Sequence, residues 1–278
     1  MPELPEVEAA AVRLRSAIRG RRIIVARVLH PALRRRLSRG DMARLRGARI
    51  DRVDRRGKYQ LLHLDTGDTL IAHFRMSGGW HISAEPERLP SHARAVLEME
   101  DGTRVVLVDP RALSSLEVAP TSALPLPPLG PDPLTPGFTA RALGKALARR
   151  LGPIKPVLLD QSIIAGVGNI YAAEALWRAR IHPAAPASQL DRAELRAVAA
   201  GIRHVMRGAL RRAGRYFSAF ENDQEMPRFA VYGRAGQPCR RCGTAITRIT
   251  QGGRSTYFCP RCQPRCRTKS IARQSNRH

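Results

Sequence analysis

The sequence has few acidic residues, and it lacks any long apolar run. Only 23 Asp and Glu stand against 48 Lys and Arg, which gives a formal net charge of +25. Such an excess favours a polyanionic partner, most often nucleic acid. No run of 18 apolar residues occurs, which argues against a membrane span, and the acidic start lacks the apolar region of a signal peptide. We therefore expect a cytoplasmic, nucleoid-associated protein.

Lysine is also scarce. Four of the 48 cationic residues are lysines, at positions 58, 145, 155 and 269. A codon preference for arginine explains the replacement of lysine, but it does not explain the missing acids. Each remaining lysine is therefore a position at which an amine was kept.

The first half of the chain predicts one helix followed by strands. Residues 6–19 place apolar side chains at helical spacing, and Gly20 is a plausible stop. Six short runs rich in β-branched residues follow, and Gly, Pro and Asp turns separate them. One helix and at least six strands suggest a β-sandwich or barrel. The predicted strands are 22–29, 48–55, 59–65, 69–75, 93–100 and 103–109.

The second half predicts helices after a stiff linker. Residues 120–137 are rich in proline and poor in hydrogen-bond donors, so we place a domain boundary there. Thr139 and Asp191 are candidate N-caps for two amphipathic helices, 139–151 and 191–213. Two more helices are expected, one over 156–161 and one that ends near Trp177.

All five cysteines lie in a basic C-terminal block that has no Asp or Glu. Four of them form a C-x2-C-x16-C-x2-C pattern, and four thiolates in two close pairs are typical of a tetrahedral zinc site. Because protein fills all four positions, we expect one structural Zn2+ ion. The predicted ligands are Cys239, Cys242, Cys259 and Cys262, with a hairpin between the pairs and Cys266 left as a free thiol.

The first eight residues, Met-Pro-Glu-Leu-Pro-Glu-Val-Glu, contain a candidate nucleophile. Removal of Met1 would leave Pro2 with a free secondary amine. An α-amino group titrates near pH ~8, against ~10.4 for lysine, so part of it is neutral and can form a Schiff base. Glu3 and Glu6 lie within one turn and can act as acid or base. The alternative is an ordinary helix start, since Pro and Glu both suit a first turn.

Several loops offer residue types that suit DNA. Gly166-Val-Gly-Asn169 precedes a helix, where glycines let a phosphate approach free backbone amides. Met76, Arg111 and Leu113 lie at predicted strand ends. Such side chains can wedge into a base stack after a nucleotide is extruded.

These motifs occur together in one family, and the chain resembles the formamidopyrimidine-DNA glycosylases nearly end to end. Leu4 favours this branch over the endonuclease VIII-like enzymes, which tend to have Gly there. The resemblance depends on residues 1–8, Gly57-Lys58-Tyr59, Met76-Ser77-Gly78, Asp109-Pro110-Arg111, Lys155-Pro156, Asp160-Gln161, residues 166–171, Ile181-His182-Pro183 and the zinc region from Val231 to Gln263.

The resemblance implies a bifunctional glycosylase and AP lyase that removes oxidised purines such as 8-oxoguanine from double-stranded DNA. It also implies a monomer with a β-sandwich and flanking helices, a helix–two-turn–helix domain and a zinc-finger hairpin. The corresponding domains are 1–119, the linker 120–137, 138–225 and 226–264, followed by a basic tail, 265–278.

The resemblance assigns Pro2 as the nucleophile and Glu3 as the proton carrier at the sugar, with Glu6 supporting the site. Phosphates would be held by Lys58, Asn169 and Arg254, and the void left by the base would be filled by Met76, Arg111 and Leu113. The complete set of predicted site residues is catalytic Pro2, Glu3, Glu6, Lys58 and Arg254, DNA-binding His92, Met76, Arg111, Leu113, Lys155 and Asn169, and the four metal-binding cysteines.

Two features depart from the family pattern. Leu113 stands where the family commonly has Phe. Leucine is still an apolar wedge, but it cannot stack on a base as an aromatic ring does. The loop 221–228 is acidic and polar with a proline, which puts selectivity for 8-oxoguanine in question. Two alternatives remain: an endonuclease VIII-like enzyme for oxidised pyrimidines or abasic sites, and a DNA-binding protein without activity.

Overall fold

The computed structural model describes residues 2–34, 37–85, 87–216 and 228–265. Cys266, most of the loop 221–228 and most of the basic tail lie outside these ranges. The described helices are α1 Leu4–Ile18, α2 Pro31–Arg34, α3 Arg39–Leu45, α4 Ala140–Leu147, α5 Ile154–Leu158, α6 Asn169–Ala179 and α7 Arg192–Tyr216. The described strands are β1 Ile23–Val28, β2 Ile50–Arg56, β3 Tyr59–Leu64, β4 Asp68–His73, β5 Gly79–Ser83, β6 Ala93–Met99, β7 Arg104–Val108, β8 Ser115–Pro120, β9 Thr247–Gln251 and β10 Arg254–Phe258.

The N-terminal half is a β-sandwich. Its two four-stranded antiparallel sheets have the strand orders β1-β6-β7-β5 and β2-β3-β4-β8. Apolar side chains from both sheets form one core with the buried face of α1, which includes Val7, Leu14 and Ile18. This result confirms the predicted sandwich, and all six predicted strands are present.

Four short elements were not predicted from the sequence. Helices α2 and α3 span four and seven residues, too few for a full apolar repeat. Strands β5 and β8 were also missed. Strand β8 pairs with β4 along its whole length up to Pro120, so the first residue of the predicted linker belongs to the sheet.

The helical half packs α4, α5, α6 and α7 around a second core. Both predicted caps are confirmed: the Thr139 hydroxyl accepts the Ala142 amide, and the Asp191 carboxylate accepts two amides at the start of α7. In the described ranges, no helix is both long and apolar enough to cross a membrane.

The two halves interlock at the start of α1. Leu4 is fully buried, and it belongs to the helical core rather than to the sandwich core. The Arg55 guanidinium on β2 pairs with Glu8 of α1 and with Asp132 of the proline-rich segment. The N-terminal residues are therefore fixed between both halves. The residue limits of the domains stay a prediction.

Candidate active site

The Glu3 carboxylate is buried at the N-terminus of α6. Its oxygens accept the backbone amides of Gly168 and Ile170 at 2.8 Å and of Tyr171 at 3.3 Å. The free amides at a helix start stabilise an anion. Burial raises the pKa of Glu3, whereas the nearby Lys58 ammonium and the three amides oppose that rise. The half-buried Pro2 is thereby held beside the start of α6.

Two glycines make room for these residues. Gly166 has φ +87°, and a Cβ there would lie 2.6 Å from the Leu4 side chain. A Cβ on Gly168 would lie 2.4 Å from the Cδ of Glu3. Our expectation that these glycines expose backbone amides to a phosphate was therefore wrong. The Gln161 side chain already accepts the Gly166 amide at 2.9 Å, and the Glu3 carboxylate accepts the Gly168 amide, so neither amide is open to a phosphate.

Glu6 links the chain start to Tyr171. One oxygen of its carboxylate accepts the Glu3 amide at 2.8 Å, and the other accepts the Tyr171 hydroxyl. Burial raises the pKa of Glu6 to about 7, opposed by the hydrogen bond from Tyr171 and increased by the charge of Glu3. Glu6 therefore changes its protonation state near neutral pH. Tyr171 contributes an amide to one carboxylate and a hydroxyl to the other, a role that its motif did not suggest.

Lys58 faces these carboxylates, and Arg254 lies close enough to Lys58 to affect its pKa. Lys58 lies in the turn between β2 and β3, next to Gly57 with φ +61°. Burial lowers its pKa, the charges of Glu3 and Glu6 oppose this change, and the charge of Arg254 adds to it. Arg254 is exposed at the start of β10. The structure thus brings the predicted Lys58 and Arg254 to the same site as Glu3, across three different parts of the chain.

Lys155 lies beneath the surface. It is fully buried, and its ammonium group donates to the Asn169 side chain, to the Ser255 carbonyl at 3.2 Å and to the Thr256 hydroxyl at 2.8 Å. Burial lowers its pKa to about 8, and the charge of Arg254 lowers it as well. All three donors of Lys155 are engaged, so the direct DNA contact that we expected would require breaking one of these bonds. The geometry instead gives Lys155 a positioning role between α5, α6 and β10.

Asn169 is the first residue of α6. It accepts the Lys155 ammonium and donates its amide group to the Ser255 carbonyl at 3.1 Å. These bonds orient Asn169 toward the first residues of β10, which Arg254 begins. The predicted phosphate-holding residues Asn169 and Arg254 therefore lie on adjoining elements.

The three predicted wedge residues are exposed at strand ends. Met76 and Leu113 have 41% and 47% of their surface exposed, high values for apolar side chains, and Arg111 is exposed as well. Arg75 and Ala112, which adjoin these side chains, have φ values of +54° and +52°. Non-glycine residues in this region carry strain of about 1–3 kcal/mol, which is typical of functional loops.

Asp109 holds together the two loops that carry the predicted wedge residues, the loop between β4 and β5 and the loop between β7 and β8. Its buried carboxylate accepts the amides of Arg111, Leu113 and Ser114 as well as the hydroxyls of Ser77 and Ser114. Although burial alone would raise the pKa of Asp109, these hydrogen bonds lower it. Asp109 belongs to the Asp109-Pro110-Arg111 motif, and the family resemblance implies no role for it. An Asp that precedes Pro and a turn is the signal that identifies such a residue.

His92 is exposed and adjoins the same loop. It has φ +63°, and its carbonyl accepts the Asp109 amide at 3.0 Å. Its assignment as a DNA contact stays a prediction.

The four predicted zinc ligands converge. Their sulfur atoms all lie within 4.8 Å of one another, and three of the pairs are separated by 3.4–3.9 Å. Zinc–sulfur bonds of about 2.3 Å in a tetrahedron require sulfur atoms about 3.8 Å apart, so the cluster fits a zinc ion. Strands β9 and β10 pair between the two cysteine pairs, which confirms the expected hairpin.

Three family models match the chain. They describe the formamidopyrimidine-DNA glycosylase N-terminal domain over residues 1–116, the H2TH domain of the same enzymes over 129–221, and a zinc finger found in FPG and IleRS over 236–265. The matches cover most of the sequence.

Curated relatives and solved structures agree with these models. Formamidopyrimidine-DNA glycosylases from Novosphingobium aromaticivorans and Acidothermus cellulolyticus are 42% and 43% identical, over 95% of this chain and 100% and 98% of their own lengths. The Lactococcus lactis FPG in complex with Fapy-dG-containing DNA superposes with a TM-score of 0.86 at 30% identity, over 94% of this chain and 100% of that one. A Lactococcus lactis FPG bound to DNA with an AP site gives 0.84 at 30% identity, over 94% and 99%.

Proposed function

The chain belongs to the formamidopyrimidine-DNA glycosylase family, and from this premise we propose how its residues divide the repair reaction. The protein is a base-excision repair enzyme that removes oxidised purines from DNA and has AP lyase activity. One observation supports the division most strongly. Glu3, the residue after Pro2, is anchored on the amides of α6, donates its own amide to Glu6 and interacts with the Lys58 charge, which Arg254 also affects.

Pro2 is the nucleophile in this proposal. After removal of Met1, the secondary amine attacks C1′ of the damaged nucleoside, and the oxidised base leaves with the glycosidic electron pair. The sugar ring opens to a cationic iminium, which acidifies the protons on C2′. Loss of one such proton expels the 3′ phosphate, a second elimination expels the 5′ phosphate, and a one-nucleotide gap results.

Glu3 transfers a proton during the reaction, and Glu6 helps to hold the Pro2 amine in position. Glu3 carries a proton to the sugar oxygen as the ring opens, and its raised pKa suits a group that must hold that proton. Glu6 supports the chain start through the Glu3 amide. The three amides from α6 keep Glu3, and with it Pro2, from swinging away.

The remaining residues bind the damaged strand. Lys58, Asn169 and Arg254 hold phosphates around the lesion, and Lys155 positions Asn169 from below. Met76, Arg111 and Leu113 fill the space left by the extruded nucleotide, with Arg111 facing the orphaned cytosine. Extrusion costs a few kcal/mol, and the wedge offsets part of it.

The zinc finger holds one structural Zn2+ between Cys239, Cys242, Cys259 and Cys262. Four protein ligands leave no position open for water, so the ion stabilises the hairpin rather than reacting. The protein binds DNA; we propose that it does so as a monomer, on the nucleoid in the cytoplasm.

Borohydride trapping tests this assignment. A duplex with 8-oxoguanine opposite cytosine should give a covalent protein–DNA adduct, because borohydride reduces the iminium to a stable amine. Pro2→Gly should reduce the adduct strongly, whereas Pro5→Ala, which alters the same turn but leaves the terminal amine, should retain it.

A lesion panel distinguishes the alternatives. Adducts that form faster with oxidised pyrimidines than with 8-oxoguanine would contradict the purine assignment. Binding without any adduct, on every lesion, would indicate a DNA-binding protein that lacks the activity.

A further inference from the structure

The C-terminal end of α6 contacts the zinc cluster through one side chain. The indole nitrogen of Trp177 donates a hydrogen bond to the Cys239 sulfur at 3.4 Å. The Arg241 amide donates to the same sulfur at 3.4 Å. Cys239 is 3% exposed, so these donors replace water as the partners of its thiolate.

Arg241 braces the indole ring. Its guanidinium carbon lies 4.2 Å from the centre of the Trp177 ring, within the range of a cation–π interaction. The same guanidinium donates to the Trp177 carbonyl at 3.2 Å. The ring is therefore fixed between α6 and the first cysteine pair, with its N–H directed at Cys239.

We infer that Trp177 is a positioning residue for the zinc ion, acting through the Cys239 thiolate. Four thiolates around Zn2+ leave a net negative charge, and hydrogen bonds to the sulfur atoms offset that charge. Groups that hydrogen-bond to metal ligands commonly change metal affinity by about 10–100-fold. Trp177 contributes such a bond from outside the zinc finger, and it ties the finger to α6.

A second set of bonds supports this coupling. The Glu174 carboxylate, one turn earlier on α6, accepts the amides of Ala230, Val231 and Tyr232, which lead into the zinc region. The same helix begins at the amides that hold Glu3. Zinc retention and the placement of the chain start thus depend on one element.

The chain has two tryptophans, which provide a matched control. Trp177→Phe keeps an aromatic ring near Arg241 and removes the N–H together with the five-membered part of the indole. Trp80→Phe makes the same change in the β-sandwich, where the indole donates to Gln60. Zinc release from the full-length protein is followed with a colour-forming chelator. We expect about 10-fold faster release from Trp177→Phe and the wild-type rate from Trp80→Phe.

Cobalt substitution tests the hydrogen bond itself. A hydrogen bond to a thiolate lowers the energy of its lone pairs and moves the sulfur-to-cobalt charge-transfer band to higher energy. In Trp177→Phe this band should therefore move to lower energy. Arg241→Ala should release zinc faster than wild type without the same band shift, because the Trp177 N–H remains.

An unchanged release rate and band position in folded Trp177→Phe would overturn the inference. Equal acceleration in Trp80→Phe would overturn it as well, since the effect would then reflect general destabilisation. If Trp177→Phe does not fold, the rate of zinc release from Arg241→Ala decides. A wild-type rate would contradict the role of Arg241 in holding the Trp177 N–H at Cys239. None of these readouts depends on glycosylase activity.

Discussion

Gly168 has no Cβ, and a Cβ placed there would lie 2.4 Å from the Cδ of Glu3. Gly168→Ala should therefore displace Glu3 and, with it, Pro2. A misplacement of about 1 Å can cost about 100-fold in rate, and overpacking costs about 1–3 kcal/mol of stability. We expect adduct formation under borohydride to fall about 100-fold, and thermal unfolding to measure the loss of stability.

Gly40→Ala is the control for this change. Gly40 lies on exposed α3, and a Cβ there would have its nearest neighbour at 3.5 Å, an ordinary contact. Alanine should leave activity unchanged and should stabilise the helix slightly. A Gly168→Ala enzyme as active as Gly40→Ala would show that Glu3 need not stay on the amides of α6.

Tyr171 sets the pH at which Glu6 ionises. Its hydroxyl stabilises the Glu6 carboxylate, so Tyr171→Phe should raise the pKa of Glu6 further above about 7. We expect the ionised form to be active, because a carboxylate accepts the Glu3 amide more strongly than a neutral carboxyl group does. The rate should therefore rise with pH through about 7. In Tyr171→Phe the rise should move about one to two units higher, since a hydrogen bond to a charge contributes about 1.5–3 kcal/mol. The single-turnover rate against pH measures this shift.

Two variants complete that measurement. Glu6→Gln removes the titrating group, so the rise near pH 7 should disappear. Tyr232→Phe, whose ring packs against Phe229 and Tyr257, should leave the profile unchanged. A wild-type profile in Tyr171→Phe would exclude Glu6 as the group that titrates.

At the scale of elements, the loops that follow β4 and β7 are joined into one unit by hydrogen bonds to Asp109. The loop after β4 carries Met76, the loop after β7 carries Arg111 and Leu113, and the Asp109 carboxylate bonds to both loops. The close fit also excludes a side chain at Gly78, where a Cβ would lie 2.1 Å from the Ser114 hydroxyl. The two loops are therefore held in one fixed arrangement.

Asp109→Asn should weaken the contacts that hold the two loops and leave the catalytic residues at the chain start unchanged. An amide nitrogen would face hydrogen-bond donors, so some of the loop bonds must break. We expect excision of 8-oxoguanine from duplex DNA to slow about 10-fold, which corresponds to ~1.4 kcal/mol. Cleavage of an abasic site in single-stranded DNA, where no base pair must be opened, should change by less than about twofold.

The comparison of the two substrates decides the interpretation. Equal losses on duplex and single-stranded DNA would place the effect of Asp109 in folding or chemistry rather than in base extrusion. Leu113→Ala should show the same selective loss on duplex DNA, because it removes the wedge directly.

At the scale of the whole molecule, a net charge of +25 favours binding to the polyanionic DNA backbone. Binding through phosphates weakens with salt, with a slope of about −0.9 in log–log terms for each phosphate neutralised. Arg254→Ala should make this slope shallower by about 0.9, because it removes one proposed phosphate contact. Fluorescence anisotropy over a range of salt concentrations measures the slope.

Arg27→Ala is the matched charge control. Arg27 is exposed on β1 and pairs with Glu98 at 3.5 Å. Arg27→Ala changes the net charge by the same amount as Arg254→Ala. Because Arg27 is not a proposed phosphate contact, the salt slope should stay at the wild-type value. Equal changes in both variants would show that Arg254 acts through the overall charge and not at a particular phosphate.

Local patterns in the sequence determined much of this protein. The cysteine spacing predicts the zinc ligands, since each C-x2-C pair and the hairpin between the pairs are formed by residues that are close in sequence. Helical and alternating periodicity predict α1, α7 and the main strands, because burial of one face imposes that period. The family motifs predict Pro2, Glu3 and Glu6.

Only the tertiary structure decided what the site residues contact. Glu3 and Gly168 are 165 positions apart, and no spacing rule predicts that one accepts the amide of the other. The burial of Lys155 and the position of Trp177 beside Cys239 likewise depend on how α6 packs against the zinc hairpin. Such contacts arise between segments that meet only in the folded core, so local sequence carries no signal for them.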